Sequence, residues 1–410
     1  MKKIQQFLFV AISVLFALSI AAESFAETTV GGTIDVRGRL RQNTADLNGD
    51  AGTGTEAFWE EKVNLFVDAK IAEGLKGYVE LQSYQDCNPA TDGFIKWGTS
   101  SMDGTRRCSS YAPNQVFYSN QSIGNLAIRY AYIDFMIPKT PVGIKIGHFP
   151  VVLGHSMWAD TSYWGSDGLV FYSQPIKELM VGLGTVKGFE VSEDSDDVNL
   201  YVIMANYTFI PKNSAGINFS YIHRNANNAG ASNAYWNTIS PDSATFSDLN
   251  GVKLWNVMIT VDGSFDFGLN YKFELDKQFG KLDAKDPGST TATEVDLKGT
   301  GLAFLLGASY GIAGIAEVKF NAAYGSGDKC ATWSGNATGD ACSTTGDKFE
   351  GYFSFNNYGY TMIYEDIVGQ KTAVSTLGSG DFGLYNTMYI NVGAGVTPLK
   401  DMSIGLDIYY

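Results

Sequence analysis

Apolar and polar residues alternate along most of this chain, most regularly from Phe265 to Leu275. Phe265, Phe267, Leu269, Tyr271, Phe273 and Leu275 fall on one side of an extended backbone. Asp266, Gly268, Asn270, Lys272, Glu274 and Asp276 fall on the other. Side chains of a strand project to opposite faces with period two, so such a strand is greasy on one face and charged on the other. That division suits lipid outside and a watery lumen inside, as in a transmembrane β-barrel.

The same period recurs throughout. A strand over 29–42 turns Ile34, Val36 and Leu40 outward and Asp35, Arg37, Arg39 and Arg41 inward. A second, 59–72, sets Val63, Leu65, Val67, Ala69 and Ile71 against Asn64, Asp68 and Lys70. A tight turn at 73–77 leads into 77–85, with Glu80 and Gln82 facing in. The strand 125–137 admits two registers; Asp134 cannot face lipid, so Ile133, Phe135 and Ile137 are read as outward. Lys145 faces in on 142–149. Further strands are expected at 168–174, 178–189, 198–210, 215–224, 253–262, 265–279, 299–310, 314–325 (Glu317 and Lys319 inward), 383–396 and 401–410.

Short connections at 73–77, 138–142, 211–215, 262–264 and 311–314 alternate with long polar ones at 43–57, 86–124, 149–167, 225–252, 280–298 and 326–382. Short turns at one end and long loops at the other mark an up-and-down barrel. The expected fold is therefore all-β, a transmembrane antiparallel up-and-down barrel of about 14–18 strands. The clear segments make an odd number, whereas a chain that starts and ends on one side of a membrane needs an even one. Either 350–372 holds another strand, around Tyr352, Phe353 and Phe355, or the barrel is truncated and closes with residues beyond Tyr410. The alternating tail Met402, Ile404, Leu406, Ile408, Tyr410 resembles a terminal insertion strand; the reading nonetheless leans to truncation.

Lys2 and Lys3 precede a stretch from Phe7 to Ala22 that is apolar apart from Ser13 and Ser19, and Ser24-Phe25-Ala26 supplies small residues for cleavage. This is the pattern of a signal peptide over 1–26, leaving 27–410 as one barrel domain. The core is shorter than the roughly 20 residues of a membrane anchor. No later stretch reaches helix-spanning length, so a membrane-resident chain must close a barrel to satisfy its backbone. Mean hydropathy is −0.06, as alternating faces cancel, and glycine (46), Phe (25) and Tyr (23) are abundant. A net charge of −14 argues against nucleic acid as a partner.

Several motifs resemble the alginate-export and related substrate-specific porin families. One is Tyr130-Ala131-Tyr132-Ile133-Asp134-Phe135, followed by Ile146-Gly147-His148-Phe149 and Leu153-Gly154. Those families usually carry an arginine where His148 stands. Trp164-Gly165-Ser166-Asp167-Gly168-Leu169-Val170 is similar to their re-entry into the barrel. Gly325-Ser326-Gly327-Asp328 with Asp347-Lys348-Phe349 resembles one of their long outer loops. In those families the strand matching 401–410 is not the last, which is the main ground for expecting truncation.

Arg37, Arg39 and Arg41 share one face. An arginine facing lipid at mid-depth costs about 2–4 kcal/mol, so the three are expected to form a basic ladder in the lumen or at its rim. Lys70, Lys145, Lys272 and Lys319 would extend the lining, with Asp68, Glu80, Asp134, Asp266, Glu274 and Glu317 as acidic counterparts; opposed charges across a constriction select solutes. The loop 149–167 carries His155, Trp158, Asp160, Tyr163 and Trp164, expected to fold inward as a constriction with stacking surfaces for sugars; an ordinary outer loop is the plainer alternative. Cys87 with Cys108 and Cys330 with Cys342 share two loops, and local disulfides are the simplest of three connectivities. Neither loop has a histidine, so no zinc site is expected. The acidic run Glu193, Asp194, Asp196 and Asp197 is read as a solvated outer loop, with divalent bridging to lipopolysaccharide as the alternative.

The expected function is a porin in the outer membrane of a Gram-negative bacterium, passing small hydrophilic or anionic solutes through a charged, water-filled lumen. Outer-membrane lipid, lipopolysaccharide and small solutes are the expected partners, as monomer or homotrimer. No cofactor, metal or catalytic residue is expected, and three histidines leave little scope for an enzyme. The alternatives are the barrel sheath of a porin–cytochrome electron conduit, whose haems would belong to a partner because no C-x-x-C-H occurs here, or a polysaccharide export channel.

Overall fold

The computed structural model describes residues 27–42, 55–83, 95–96, 126–162, 165–189, 198–224, 249–285, 294–312, 314–326, 348–352, 387–399 and 402–410. The expected signal peptide, the four cysteines, Tyr163, Trp164, the acidic run at 193–197, and the side chains of Arg39 and Arg41 lie outside the described residues, as do Phe353 and Phe355.

The strands in chain order are β1 (Glu27–Gln42), β2 (Thr55–Ala72), β3 (Leu75–Ser83), β4 (Ile95–Lys96), β5 (Leu126–Met136), β6 (Val142–Phe149), β7 (Val152–Leu153), β8 (Ala159–Asp160), β9 (Ser166–Ile176) and β10 (Leu179–Phe189). They continue with β11 (Val198–Ile210), β12 (Asn213–Arg224), β13 (Leu249–Ser264), β14 (Leu269–Lys285), β15 (Glu294–Gly299), β16 (Leu302–Ile312), β17 (Ala316–Gly325), β18 (Lys348–Phe349), β19 (Thr387–Leu399) and β20 (Met402–Tyr409). The long strands pair antiparallel with their sequence neighbours. The ladder runs β1–β2–β3–β5–β6–β9–β10–β11–β12–β13–β14–β16–β17–β19–β20. β15 prolongs the β16 side of the ladder on the far end of β14. Among the described residues β1 pairs only with β2, and β20 only with β19.

The alternation sets the two faces. Ile34, Leu183, Ile203, Phe219, Leu306 and Leu406, on six different strands, are all exposed. The opposite face carries Gln82, Asn218, Asn256, Glu274, Gln278 and Asn391, all buried. This inverts a soluble sandwich and follows from the wall curling with its polar face inward. The segment 150–162 shows the curvature directly. Met157 packs with Leu305 of β16 and Ala323 of β17, while Ser162 is bound by Arg129 and Tyr130 of β5. Nine ladder steps separate β5 from β17. Laid flat they would span about 43 Å at roughly 4.8 Å each. Five residues of chain reach at most about 18 Å. The sheet is rolled around the segment, as an up-and-down barrel wall.

Several details differ from the expectation: the long loop expected at 280–298 is entered by β14 as far as Lys285 and holds most of β15. The strand expected at 265–279 begins at Leu269, and 265–268 form the turn, closed by the Phe265 N–H on the Leu269 carbonyl (2.8 Å). Phe265 and Phe267 stack on each other with centroids 5.3 Å apart, which is why their spacing mimics a strand. On β5 the register shifts at Arg129, opposite Glu80 and Leu81. The extra residue lets Ile128 and Ile133, of opposite parity, both face out. The choice of Ile133 over its neighbours therefore holds only beyond the bulge.

Candidate functional site: the inward-folded segment and the luminal wall

β6 ends at Phe149, and the chain turns into the barrel before re-entering the wall at Ser166. A small ribbon, β7 against β8, gives the segment its own hydrogen bonds. Thr161 N–H donates to the Val151 carbonyl (2.8 Å), and Val151 N–H to Thr161 Oγ1 (3.0 Å). The tip turns through Gly154 (φ 58°) and Ser156 (φ 73°). A Cβ at position 154 would overlap the Glu274 carboxylate and lie 2.7 Å from Met258 Sδ, so the site requires glycine for contact as well as conformation.

Three anchors fix the segment. At the tip, His155 N–H donates to Glu274 Oε2, and His155 Nε2 lies 3.1 Å from Asp262 Oδ1 without the alignment of a hydrogen bond. In the middle, Met157 and Trp158 are fully buried, with Met157 against Ala303, Leu305, Ala323 and Tyr352. At the exit, Arg129 donates to the Ser162 carbonyl (2.8 Å) and to Glu80 Oε1 (2.8 Å). Ser162 N–H in turn donates to Asp160 Oδ1 (2.8 Å). Burial pushes the His155 imidazole below its ordinary value; Asp262 opposes the shift and Lys272 adds to it.

The wall facing the segment is polar and only partly satisfied. Asp276 accepts from Asn256 Nδ2 and from the Tyr352 hydroxyl, both at 2.9 Å. Glu274 Oε1, Asn256 Oδ1, Trp158 Nε1 and both polar atoms of Gln82 are buried with no protein partner. Groups of this kind are stable only when hydrated.

Of the expected lining residues, Asp68, Glu80, Asp134, Lys145, Lys272, Glu274, Glu317 and Lys319 stand on strands at positions of polar-face parity, as does the exposed Lys70. Asp266 does not. It sits in the β13–β14 turn, 92% exposed and 2.8 Å from Lys212 of the neighbouring turn, because the strand starts three residues later. That pairing raises the Lys212 pKa and lowers that of Asp266. Arg37 bonds Asp35 two residues earlier on its own face (2.7 Å). Lys76 pairs with Asp68 (2.8 Å), Arg129 with Glu80 and Lys319 with Asp407 (2.9 Å). These four cations thus have acids beside them on the same strand, on the adjoining strand or, for Lys319, across Gly393 of β19 on the strand beyond it. Arg129, Tyr130, Asp262 and Asn256 were not among the expected lining residues, and Asp276 was placed on the charged face without a role; Asn256, Thr260 and Asp262 at one parity of β13 were the signal for that group.

The chain matches no protein-family model and no curated protein. Solved structures of similar shape include an outer-membrane channel and porins. The DcaP channel of Acinetobacter baumannii is 10% identical over 94% of this chain and 91% of that one, with TM-score 0.44. An anion-selective porin from Comamonas acidovorans is 12% identical over 94% and 88%, with TM-score 0.43. OccK2 (OpdF) of Pseudomonas aeruginosa is 10% identical over 90% and 75%, with TM-score 0.44.

Proposed function

We propose that the chain is a bacterial outer-membrane channel, not an enzyme, through which small hydrophilic solutes diffuse past a constriction made by residues 150–162. One observation carries the reading: large apolar side chains are exposed on strand after strand, while the opposite face is polar and wraps the chain's own segment. Ile203 (64% exposed) and Leu406 (68%) typify a belt that only hydrocarbon makes favourable. Lipid and the acyl chains of lipopolysaccharide would cover it.

His155, Trp158 and Asp160 belong to the constriction in this reading, and Tyr163 and Trp164 follow them in sequence. Arg37 and, by spacing, Arg39 and Arg41 contribute to charge selection, moderated at Arg37 by Asp35. A lumen occupied by its own segment leaves less room for a threaded cytochrome or a polysaccharide, which weighs against the sheath and export readings. Liposomes loaded with the purified protein test the proposal: they should swell in small sugars at rates falling steeply with solute size. Rates equal to those of empty liposomes would refute it.

A further inference from the structure

A cavity of about 390 Å³ lies between residues 150–153 and the inner face of β9, β10 and β11. On these strands its lining is apolar, with Val170, Val186, Val202 and Met204, whereas the inner face of β12 to β14 mixes Asn218, Ser220, Asn256, Glu274 and Gln278 with Ile222, Leu254 and Met258. Gly182 and Gly184 supply no side chain to fill the space; a Cβ at 182 would lie 2.8 Å from the Met204 terminus. Apolar surface left toward a watery lumen is unfavourable in proportion to its area, and an apolar ligand group would relieve it.

One end of the cavity is charged. Lys145 Nζ stands 4.0 Å from Asp134 Oδ2, too far for a tight pair, and lies over the rings of Tyr132 (4.9 Å) and Phe149 (5.7 Å). Tyr172 donates its hydroxyl to Asp134 Oδ1 at 2.5 Å, fixing that carboxylate. Two opposite charges are therefore presented side by side at the mouth of an apolar cleft. A ligand with a single charge would satisfy one and face the other with its own sign. A zwitterionic head satisfies both in antiparallel alignment.

We infer that this cleft binds a small zwitterion bearing an apolar side chain, an α-amino acid or dipeptide, with its head at Lys145 and Asp134 and its side chain among Val170, Val186, Val202 and Met204. The inference rests on the channel reading, since the ligand reaches the cleft through the lumen.

Calorimetric titration of the detergent-solubilised protein with L-phenylalanine tests it, alongside 3-phenylpropionate, phenethylamine and glycine. L-Phenylalanine should bind, and each of the other three should bind at least about tenfold more weakly, the effect of losing one charged contact or the buried ring. Lys145→Met should weaken L-phenylalanine by a similar factor. Val170→Phe, which fills the cleft and leaves the charges in place, should weaken it too. No binding to the wild type, equal binding of 3-phenylpropionate or glycine, or an unaffected Val170→Phe would each overturn the inference. Swelling of liposomes in small sugars is read separately, so a conducting channel that ignores L-phenylalanine defeats the cleft alone.

Discussion

Glu274 accepts the backbone N–H of His155, joining the tip of the inward-folded segment to the middle of the β14 wall. Its partners are 119 residues apart in sequence, and Gly154 is what lets the backbone come so close. Replacing Glu274 by Gln keeps an acceptor; replacing it by Leu removes one. Leaving the buried His155 N–H without its acceptor costs about 1–3 kcal/mol, so the displaced segment should become roughly 5- to 150-fold more populated in Glu274→Leu. Single-channel recordings should show frequent switching between conductance levels in Glu274→Leu and little in Glu274→Gln. Identical traces would remove the anchor.

His155 should make the seating of the segment sensitive to acid. The seated imidazole resists a proton because it is desolvated, whereas a displaced one accepts it near the ordinary value of 6.5. The displaced state therefore binds more protons, and seating is fully favoured above that value and weakens as pH falls below it. Current fluctuations should increase on acidification, and His155→Gln should reduce the increase. Asp262, Lys272 and the Phe273 backbone act on the ring, and Glu274 holds the His155 backbone, so a residual dependence in the variant is expected.

Arg129 is placed inward by the β5 bulge and holds both Glu80 and the Ser162 carbonyl. Glu80 is 7% exposed, so Arg129→Met strands a buried carboxylate that, among the described residues, keeps the Tyr78 hydroxyl as its donor at 2.7 Å. Breaking one side of a buried pair costs about 3–5 kcal/mol, and removing both charges costs less. Urea unfolding in bilayers should show Arg129→Met strongly destabilised and Arg129→Met with Glu80→Gln partly restored.

The lipid face predicts an asymmetry between residues of opposite parity on one strand. Ile203→Arg puts a guanidinium in hydrocarbon and should cost about 2–4 kcal/mol. Asn206→Arg, on the other face of β11, should change stability little. Equal effects in folding titrations would mean that the faces are misassigned.

The strands were legible because period two survives wherever one face meets lipid. β6 and β11 run over the very residues expected, and others shift by a few. The pattern misled where a turn imitated it, at Phe265 and Phe267, and where a bulge at Arg129 reversed parity within β5. Three arginines at alternate positions suggested an open basic ladder, although Asp35, also at an alternate position, was there to be read as a neutralising partner. What residues 150–162 touch was not legible at all. Glu274, Met258 and Leu305 are brought to the segment only by the closing curvature of the wall, and no local spacing encodes that.

The most direct test is the single-channel conductance of the wild type beside a variant with residues 155–160 replaced by a short glycine–serine link. Unitary steps should be seen in both, with the variant conducting at least about twofold more, as widening a charged constriction implies. Bilayers that stay silent with the wild type, or equal conductance in the two proteins, would contradict a lumen narrowed by this segment.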